Sequence, residues 1–224
     1  MTKEDVFRIM GSYYGNAYYR SAVERNISEE DLQNEKEILD QVNSLGYYFS
    51  NTHRLYDIDD IRIVPIILEH WNRFKSISFK CGVLGSINKR SYAQYIPDLL
   101  NIFWSDDDPK IRWTLENCLL HMRSEKYVKE YLKIVNDPSY NTAGSLLIEL
   151  LCKLHVKDVL PRFLELFLKD PDQWKWSFVR YAYMLKDDSI LPYIEPYLLC
   201  DDAELRNYAK RAVQRLTTDR RDKG

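Results

Sequence analysis

The sequence predicts an all-α protein built from a repeated pair of helices. Three observations support this fold class: a scarcity of turn residues, a short motif that recurs about every 32 residues, and apolar positions of helical spacing that recur with it. The 224 residues include only 7 Gly and 8 Pro, few for the many tight turns of an all-β protein. Apolar residues make up 45% and charged residues 29%, which is the balance of a chain with a packed core.

The recurring motif is an aliphatic residue followed by proline. It places Pro65, Pro97, Pro161 and Pro192 at steps of 32, 64 and 31 residues. The step of 64 spans two repeats, and Lys129 follows a valine at its midpoint. Because proline is tolerated in the first turn of a helix, the motif predicts where the first helix of each unit begins.

Apolar residues occupy the same offsets from this motif in five units. Their spacing of i, i+3 and i+7 is that of one face of an α-helix. The three columns are Val64, Ile96, Val128, Leu160 and Leu191; Ile67, Leu99, Tyr131, Phe163 and Ile194; and Trp71, Phe103, Val135, Phe167 and Leu198.

A second helix is predicted after the first in the last four units, again with apolar columns. These are Ile111, Ala143, Trp174 and Leu205; Leu115, Leu147, Phe178 and Ala209; Leu119, Leu151, Ala182 and Val213; and Met122, Leu154, Leu185 and Leu216. Side chains suited to capping a helix N-terminus precede them, namely Asp107, Ser139, Asp170 and Asp201. In the first unit the second helix, near residues 74–84, fits the columns poorly.

The predicted repeats cover residues 59–216 of one continuous domain. Residues 1–58 are expected to form an N-terminal helical cap, with one helix over residues 3–25 and another from Ser28 to Gly46. The first of these helices carries a cluster of aromatic residues, Tyr13, Tyr14, Tyr18 and Tyr19. Residues 217–224 are polar and are expected to form a frayed tail.

The helix pairs resemble HEAT repeats, in the compact form of small bacterial HEAT-repeat proteins. The closest matching stretches are residues 201–213, which begin Asp-Asp-Ala-Glu-Leu-Arg, and residues 111–119. The resemblance implies an α-α superhelix, or solenoid, of about five helix pairs whose second helices line a concave groove. It implies little about function, because HEAT proteins serve as scaffolds, lyase-like chaperones, DNA glycosylases and toxin-neutralising proteins.

The groove predicted in this way contains seven candidate partner-binding residues. They stand on second helices, on the side away from the apolar columns. The candidates are Trp113, Glu116, Asn117, Glu149, Trp176, Arg180 and Tyr183. Trp113 and Trp176 share one repeat column, and tryptophan is a frequent interface anchor. An equally good interpretation places both indoles between neighbouring repeats, as packing.

No catalytic, metal or cofactor site is predicted. The phosphate-binding loop, the nucleophile elbow and the zinc-protease motif are all missing from the sequence, which favours a protein that is not an enzyme. Two Cys-x-x-His pairs, at Cys118 and Cys152, suggest zinc. Their offset of 34 residues differs from the repeat step of 32, so the two pairs would face in different directions, and both cysteines are better explained as small buried apolar residues.

The charge balance, the N-terminal sequence and the cysteine spacing indicate which partner and location to expect. Lys plus Arg total 32 against 34 Asp plus Glu, a balance that argues against a dedicated nucleic-acid binder. The last helix is basic, which favours either a solvated terminal repeat or a phosphate contact. Neither a signal peptide nor an apolar membrane span is recognisable, and the four cysteines are widely spaced, so we expect a cytoplasmic protein with free thiols.

The leading hypothesis is a solenoid that grips a partner protein without turnover, and its specific version is an immunity-type protein that neutralises a toxin. The alternative is a DNA-binding HEAT-like protein related to alkylpurine DNA glycosylases, in which Trp113, Trp176, Glu116 and Arg180 would contact the lesion. A third hypothesis is chaperone-like handling of a cofactor, as in lyase-related HEAT proteins, although no residue of this chain requires one.

Overall fold

The computed structural model describes residues 2–12, 27–138 and 145–221, and all regular secondary structure in these ranges is helical. This confirms the predicted all-α class. The helices are α1 (residues 3–12), α2 (Glu29–Ser44), α3 (Ile63–His70), α4 (Ile77–Gly85), α5 (Ile96–Ser105), α6 (Pro109–Met122), α7 (Val128–Asn136), α8 (Ser145–Lys153), α9 (Leu160–Lys169), α10 (Pro171–Tyr181), α11 (Leu191–Ile194) and α12 (Ala203–Arg221).

Short 3-10 turns lead into the first helix of four repeats. They span Arg90–Tyr95, Glu125–Tyr127, Lys157–Val159 and Asp188–Ile190, and α5, α7, α9 and α11 begin at the next residue. The helix that follows is therefore entered at the aliphatic residue of the motif, as predicted. In the last repeat, α11 gives way after four residues to a 3-10 stretch, Glu195–Leu199. Pro196 lies in that stretch and lacks the amide that would continue the α-helix.

The chain divides into two compact units, residues 1–122 and 123–224. In the first unit, α2 packs against α3, and α6 packs against both α4 and α5. Its N-terminal part has an apolar cluster that includes Val6, Met10, Ile27, Leu32 and Leu39. In the second unit, α7 packs against α8, α9 against α10, and α10 also against α8 and α12. The boundary falls between α6 and the turn that begins the next predicted repeat.

Most residues of the apolar columns predicted from the repeat are buried; Val128, Leu154, Leu191, Leu198 and Val213 are half-buried, and Ala143 lies outside the described residues. The column Ile67, Leu99, Tyr131, Phe163 and Ile194 is at most 1% exposed throughout. The column Leu115, Leu147, Phe178 and Ala209 is 0% exposed throughout. Because each fully buried aliphatic or aromatic side chain contributes about 1.5–3 kcal/mol relative to exposure, these columns supply much of the driving force for folding.

Three predicted helix boundaries are confirmed by backbone geometry. The Ser28 hydroxyl accepts a hydrogen bond from the Asp31 amide at 3.0 Å, which caps α2. Gly46, just after the end of α2, has a φ of +102°, a left-handed conformation that favours glycine. Asp170 caps α10 by accepting from the Gln173 amide at 3.1 Å.

Two predicted caps are wrong by one residue. The carboxylate of Asp108, not Asp107, accepts from the first free amides of α6, and Asp202, not Asp201, does so in α12. Both stand in acidic runs, so composition alone does not tell which carboxylate is adjacent to the helix start. The remaining predicted cap, Ser139, lies outside the described residues.

The ends of the chain agree in part with the prediction. Residues 3–12 are helical, whereas the rest of the helix predicted over 3–25, including its tyrosine cluster, lies outside the described residues. The last helix continues to Arg221, beyond the predicted end of the repeats at Leu216. Within the described parts of the chain, none of the helices is both long enough and apolar enough to cross a bilayer.

Candidate functional site

The candidate site lies on the second helices of the second unit, where α10 packs between α8 and α12. The orientation of α10 is set by Phe178, whose ring lies 4.4 Å from that of Phe167 and 5.0 Å from that of Phe163, centroid to centroid. With that face held in the core, Trp176 is half-buried and Arg180 is exposed. These two residues are four apart, so they lie on one side of α10.

Arg180 contacts two aromatic rings. Its guanidinium carbon lies 5.1 Å from the ring centroid of Tyr181 and 5.3 Å from that of Tyr208, which belongs to α12. Trp176 makes an edge contact with Tyr208, at 6.5 Å between centroids and 78° between planes. Cation–π contacts of this kind orient an arginine while leaving its N–H groups able to donate.

A buried tyrosine connects α10 to α8. Tyr181 is 8% exposed, and both its burial and its hydrogen bond to the Glu149 carboxylate raise the pKa of its hydroxyl above the usual value of 10.0. Glu149 also forms an ion pair with Lys153 at 2.5 Å, and the Lys153 ammonium lies 5.8 Å from the Tyr181 ring centroid. Glu149 is thus engaged in joining two helices, and its charge is balanced by a neighbour.

A second contact joins α12 to the turn that follows α10, Ala182–Leu185. The guanidinium of Arg215 donates to the Tyr183 hydroxyl at 3.0 Å and lies 5.2 Å from the Tyr183 ring centroid. Beside it, a concavity of 460 Å³ is lined by Arg211, Gln214, Arg215 and Thr218. All four of these side chains can donate hydrogen bonds.

We call Arg180, Arg211 and Arg215, together with Trp176, Tyr183 and Tyr208, the arginine–aromatic surface. Among the side chains that the structure describes, none of its three arginines lies within 4.0 Å of a carboxylate. The described side chains of this surface comprise three guanidinium groups and no carboxylate, whereas the chain as a whole has a net charge of −2.

Four of the seven predicted site residues belong to this region of the second unit: Glu149, Trp176, Arg180 and Tyr183. Trp176 packs against α12, in agreement with the packing interpretation, and is half-buried; its role in partner binding stays a prediction. The prediction missed Tyr181 and Tyr208, which stand one residue before the predicted apolar columns at Ala182 and Ala209. It also missed Arg211, whose position one repeat after Arg180 was a usable signal.

The other three predicted residues lie on α6 of the first unit. Trp113 is 52% exposed and lines an apolar concavity with Ile77 and Cys81. Asn117 is half-buried. Glu116 is 0% exposed and offers no side-chain atom to a partner, so its assignment to an exposed groove is wrong. Because α6 packs against α4 as well as α5, its buried arc is wider than the single predicted stripe.

Both cysteines of the Cys-x-x-His pairs are buried, as predicted for small apolar residues. Cys118 is 0% exposed, its thiol lies 3.2 Å from the Leu84 carbonyl oxygen, and burial raises its pKa to about 12. Cys152 is also 0% exposed, and burial likewise raises the pKa of its thiol. In the described ranges of the chain, the His, Cys, Asp and Glu side chains form no group of three or more suited to hold a metal ion.

Comparison of the sequence with models of known protein families and with curated proteins finds no match. The chemistry of the arginine–aromatic surface is therefore the main guide to function.

Proposed function

We propose that this protein is a non-enzymatic α-solenoid of HEAT-like helix pairs that binds a partner protein through its second helices. The observation that carries the proposal is the packing of α8, α10 and α12 side by side, with arginines held by aromatic rings on the exposed side. Tryptophan, tyrosine and arginine are the residue types most enriched among those that dominate interface energetics.

The aromatic contacts of the arginines on this surface favour binding. Binding normally requires exposed side chains to lose rotamer freedom, at about 0.5–1.5 kcal/mol for each flexible residue. Arg180 and Arg215 already contact aromatic rings in the structure, so a partner would meet side chains that are partly ordered in advance. A toxin neutralised by an immunity-type protein is one form of such a partner, and it is supported by the small size of the chain and the resemblance to bacterial HEAT proteins.

A DNA-binding protein related to the alkylpurine DNA glycosylases is the second candidate. It is favoured by the exposed cations Arg180, Lys210, Arg211 and Arg215, which are able to contact phosphates. The net charge of −2 disfavours it, since a long polyanion is repelled by the acidic remainder of the chain.

Affinity capture from the native cell extract, followed by binding assays with the purified partner, tests the proposal. We expect Trp176→Ala and Arg180→Ala each to raise the Kd of the partner by about tenfold, the loss typical of an interface anchor. Lys169→Ala, an exposed change on α9, is the matched control and should leave the Kd unchanged. Undiminished binding by both variants would contradict the proposal. Tight binding of duplex DNA that weakens steeply with salt would favour the second candidate.

A further inference from the structure

We propose that the partner presents an acidic, extended segment whose carboxylates at alternating positions pair with Arg211 and Arg215. This inference rests on the proposed function and names the chemistry of the segment that the arginine–aromatic surface recognises.

The donor set of the concavity on α12 points to an anion. Among the residues that the structure describes, its lining consists of two guanidinium groups, the Gln214 amide and the Thr218 hydroxyl, without a carboxylate. Guanidinium groups bind carboxylates through two parallel N–H···O bonds, which gives this pairing geometric selectivity as well as charge attraction. The local chemistry therefore matches an aspartate or glutamate side chain.

The spacing of the two arginines matches an extended chain. Arg211 and Arg215 are four residues apart on one helix, a rise of about 6 Å along its axis. In an extended segment, side chains two residues apart point the same way and are separated by about 6.6 Å. Carboxylates at positions i and i+2 of the segment can therefore meet both arginines at once.

The third arginine lies on the same face. Positions 208, 211 and 215 of α12 follow the i, i+3, i+7 spacing of one helix stripe. Tyr208 contacts Arg180 of α10, and Arg215 contacts Tyr183 in the turn after α10, so this stripe is bridged at two points to α10 and the turn that follows it. Arg180 is thus placed to meet a further carboxylate of the same segment, while Trp176 and Tyr208 provide apolar surface for the residues between.

An acidic segment fits better than a nucleic acid. The positive charge is local, comprising three arginines on two helices of a chain whose net charge is −2. A short acidic segment interacts with this surface alone, whereas a duplex extends its phosphates beyond it over the rest of the acidic chain.

Fluorescence anisotropy with the full 224-residue protein tests the inference. The probe is a labelled twelve-residue peptide in which Glu and Ser alternate. The matched peptide repeats Glu-Glu-Ser-Ser, so it has the same composition and charge but no two Glu residues at i and i+2. At low salt we expect the alternating peptide to bind about threefold or more tightly than the matched peptide, since only it can engage both guanidinium groups together.

The protein variants isolate the site. The double variant Arg211→Glu with Arg215→Glu should weaken binding of the alternating peptide by about tenfold or more, because two attractive pairs become repulsive. The double variant Lys129→Glu with Lys169→Glu makes the same change in net charge at exposed positions of α7 and α9. It should weaken binding of the alternating peptide less than twofold. Far-ultraviolet circular dichroism of both double variants should match that of the unmodified protein.

Several results would overturn the inference: equal affinity for the two peptides, no measurable binding, or equal loss in the two double variants. Tighter binding of duplex DNA, lost in the arginine double variant, would replace it with nucleic-acid recognition. If the alternating peptide does not bind but capture of the partner still depends on Trp176, only the inference fails. If capture is independent of Trp176 and Arg180, the proposed function fails, whatever the peptide result.

Discussion

The guanidinium of Arg180, on α10, lies 5.3 Å from the ring centroid of Tyr208, on α12. This contact joins two neighbouring second helices on their exposed side. It places a cation where a partner can reach it and limits the freedom of that cation before binding. The same ring contacts Trp176, so Tyr208 organises two of the predicted anchors at once.

We predict that Tyr208→Ala weakens partner or acidic-peptide binding by about two- to fivefold, the equivalent of an exposed cation–π contact of roughly 0.5–1 kcal/mol. Tyr208→Phe keeps the ring and should bind as the unmodified protein does. Isothermal titration or anisotropy measures both. A loss of the same size in Tyr208→Phe would show that the hydroxyl, and not the ring, matters.

We predict that Phe178→Ala lowers the free energy of unfolding by about 3–5 kcal/mol, because it removes a fully buried ring between Phe163 and Phe167 and leaves a cavity. Urea denaturation followed by circular dichroism measures the change. Leu168→Ala, on the exposed side of α9, is the control and should cost far less. A loss below about 1 kcal/mol for Phe178→Ala would mean that this core does not set the orientation of α10.

We predict that Asp31→Ala lowers the free energy of unfolding by about 2 kcal/mol. Asp31 is 1% exposed, and its carboxylate accepts from the Lys75 amide at 2.7 Å and the Ser76 amide at 3.1 Å, so truncation leaves polar groups without these bonds. The free energy of unfolding of Asp31→Asn should lie between those of the unmodified protein and of Asp31→Ala. Glu30→Ala, exposed in the same helical turn, should have a smaller effect, and an equal effect would argue against this anchoring role.

We predict that the protein becomes less stable as the pH falls below about 6.5. Burial, assisted by the charge of Arg73, lowers the pKa of His70 from its usual 6.5, so the folded protein holds this ring neutral. Its Nδ1 lies 2.5 Å from the Asn34 side-chain oxygen and its Nε2 lies 2.9 Å from the Gln41 side-chain nitrogen, an arrangement that suits a neutral ring.

Since the unfolded chain takes up a proton at His70 first, stability is full above pH 6.5 and declines below it, by at most about 1.4 kcal/mol per pH unit from this group. Urea unfolding at pH 7.5 and 5.5 measures the decline. His70→Gln removes the titrating group and should show a smaller difference between the two pH values. An unchanged difference would assign the pH dependence to other groups.

The repeat in the sequence was enough to predict the helices and their buried sides. The columns through Phe163 and Phe178 are buried because an apolar stripe of helical period has to face the core to be removed from water. Capping was less well predicted where acidic residues run together, as at Asp107 and Asp108, because neighbouring carboxylates offer the same chemistry and only the helix start distinguishes them.

The candidate site was predicted only in part, for a related reason. Trp176, Arg180, Tyr183 and Glu149 could be named from their repeat positions, but their partners Tyr181 and Tyr208 could not. The assignment of Glu116 to an exposed groove failed because the spacing of apolar residues in α6 does not reveal how many helices pack around it.

By itself, the sequence determined the all-α class, the repeating helix pairs and the apolar faces, because these follow from local periodicity and the removal of apolar surface from water. Only the tertiary structure decided which exposed residues meet across helices. The contacts of Arg180 with Tyr208 and of Arg215 with Tyr183 depend on the rotation and spacing of two separate helices. That rotation and spacing are set by the packing of the whole core beneath the helices.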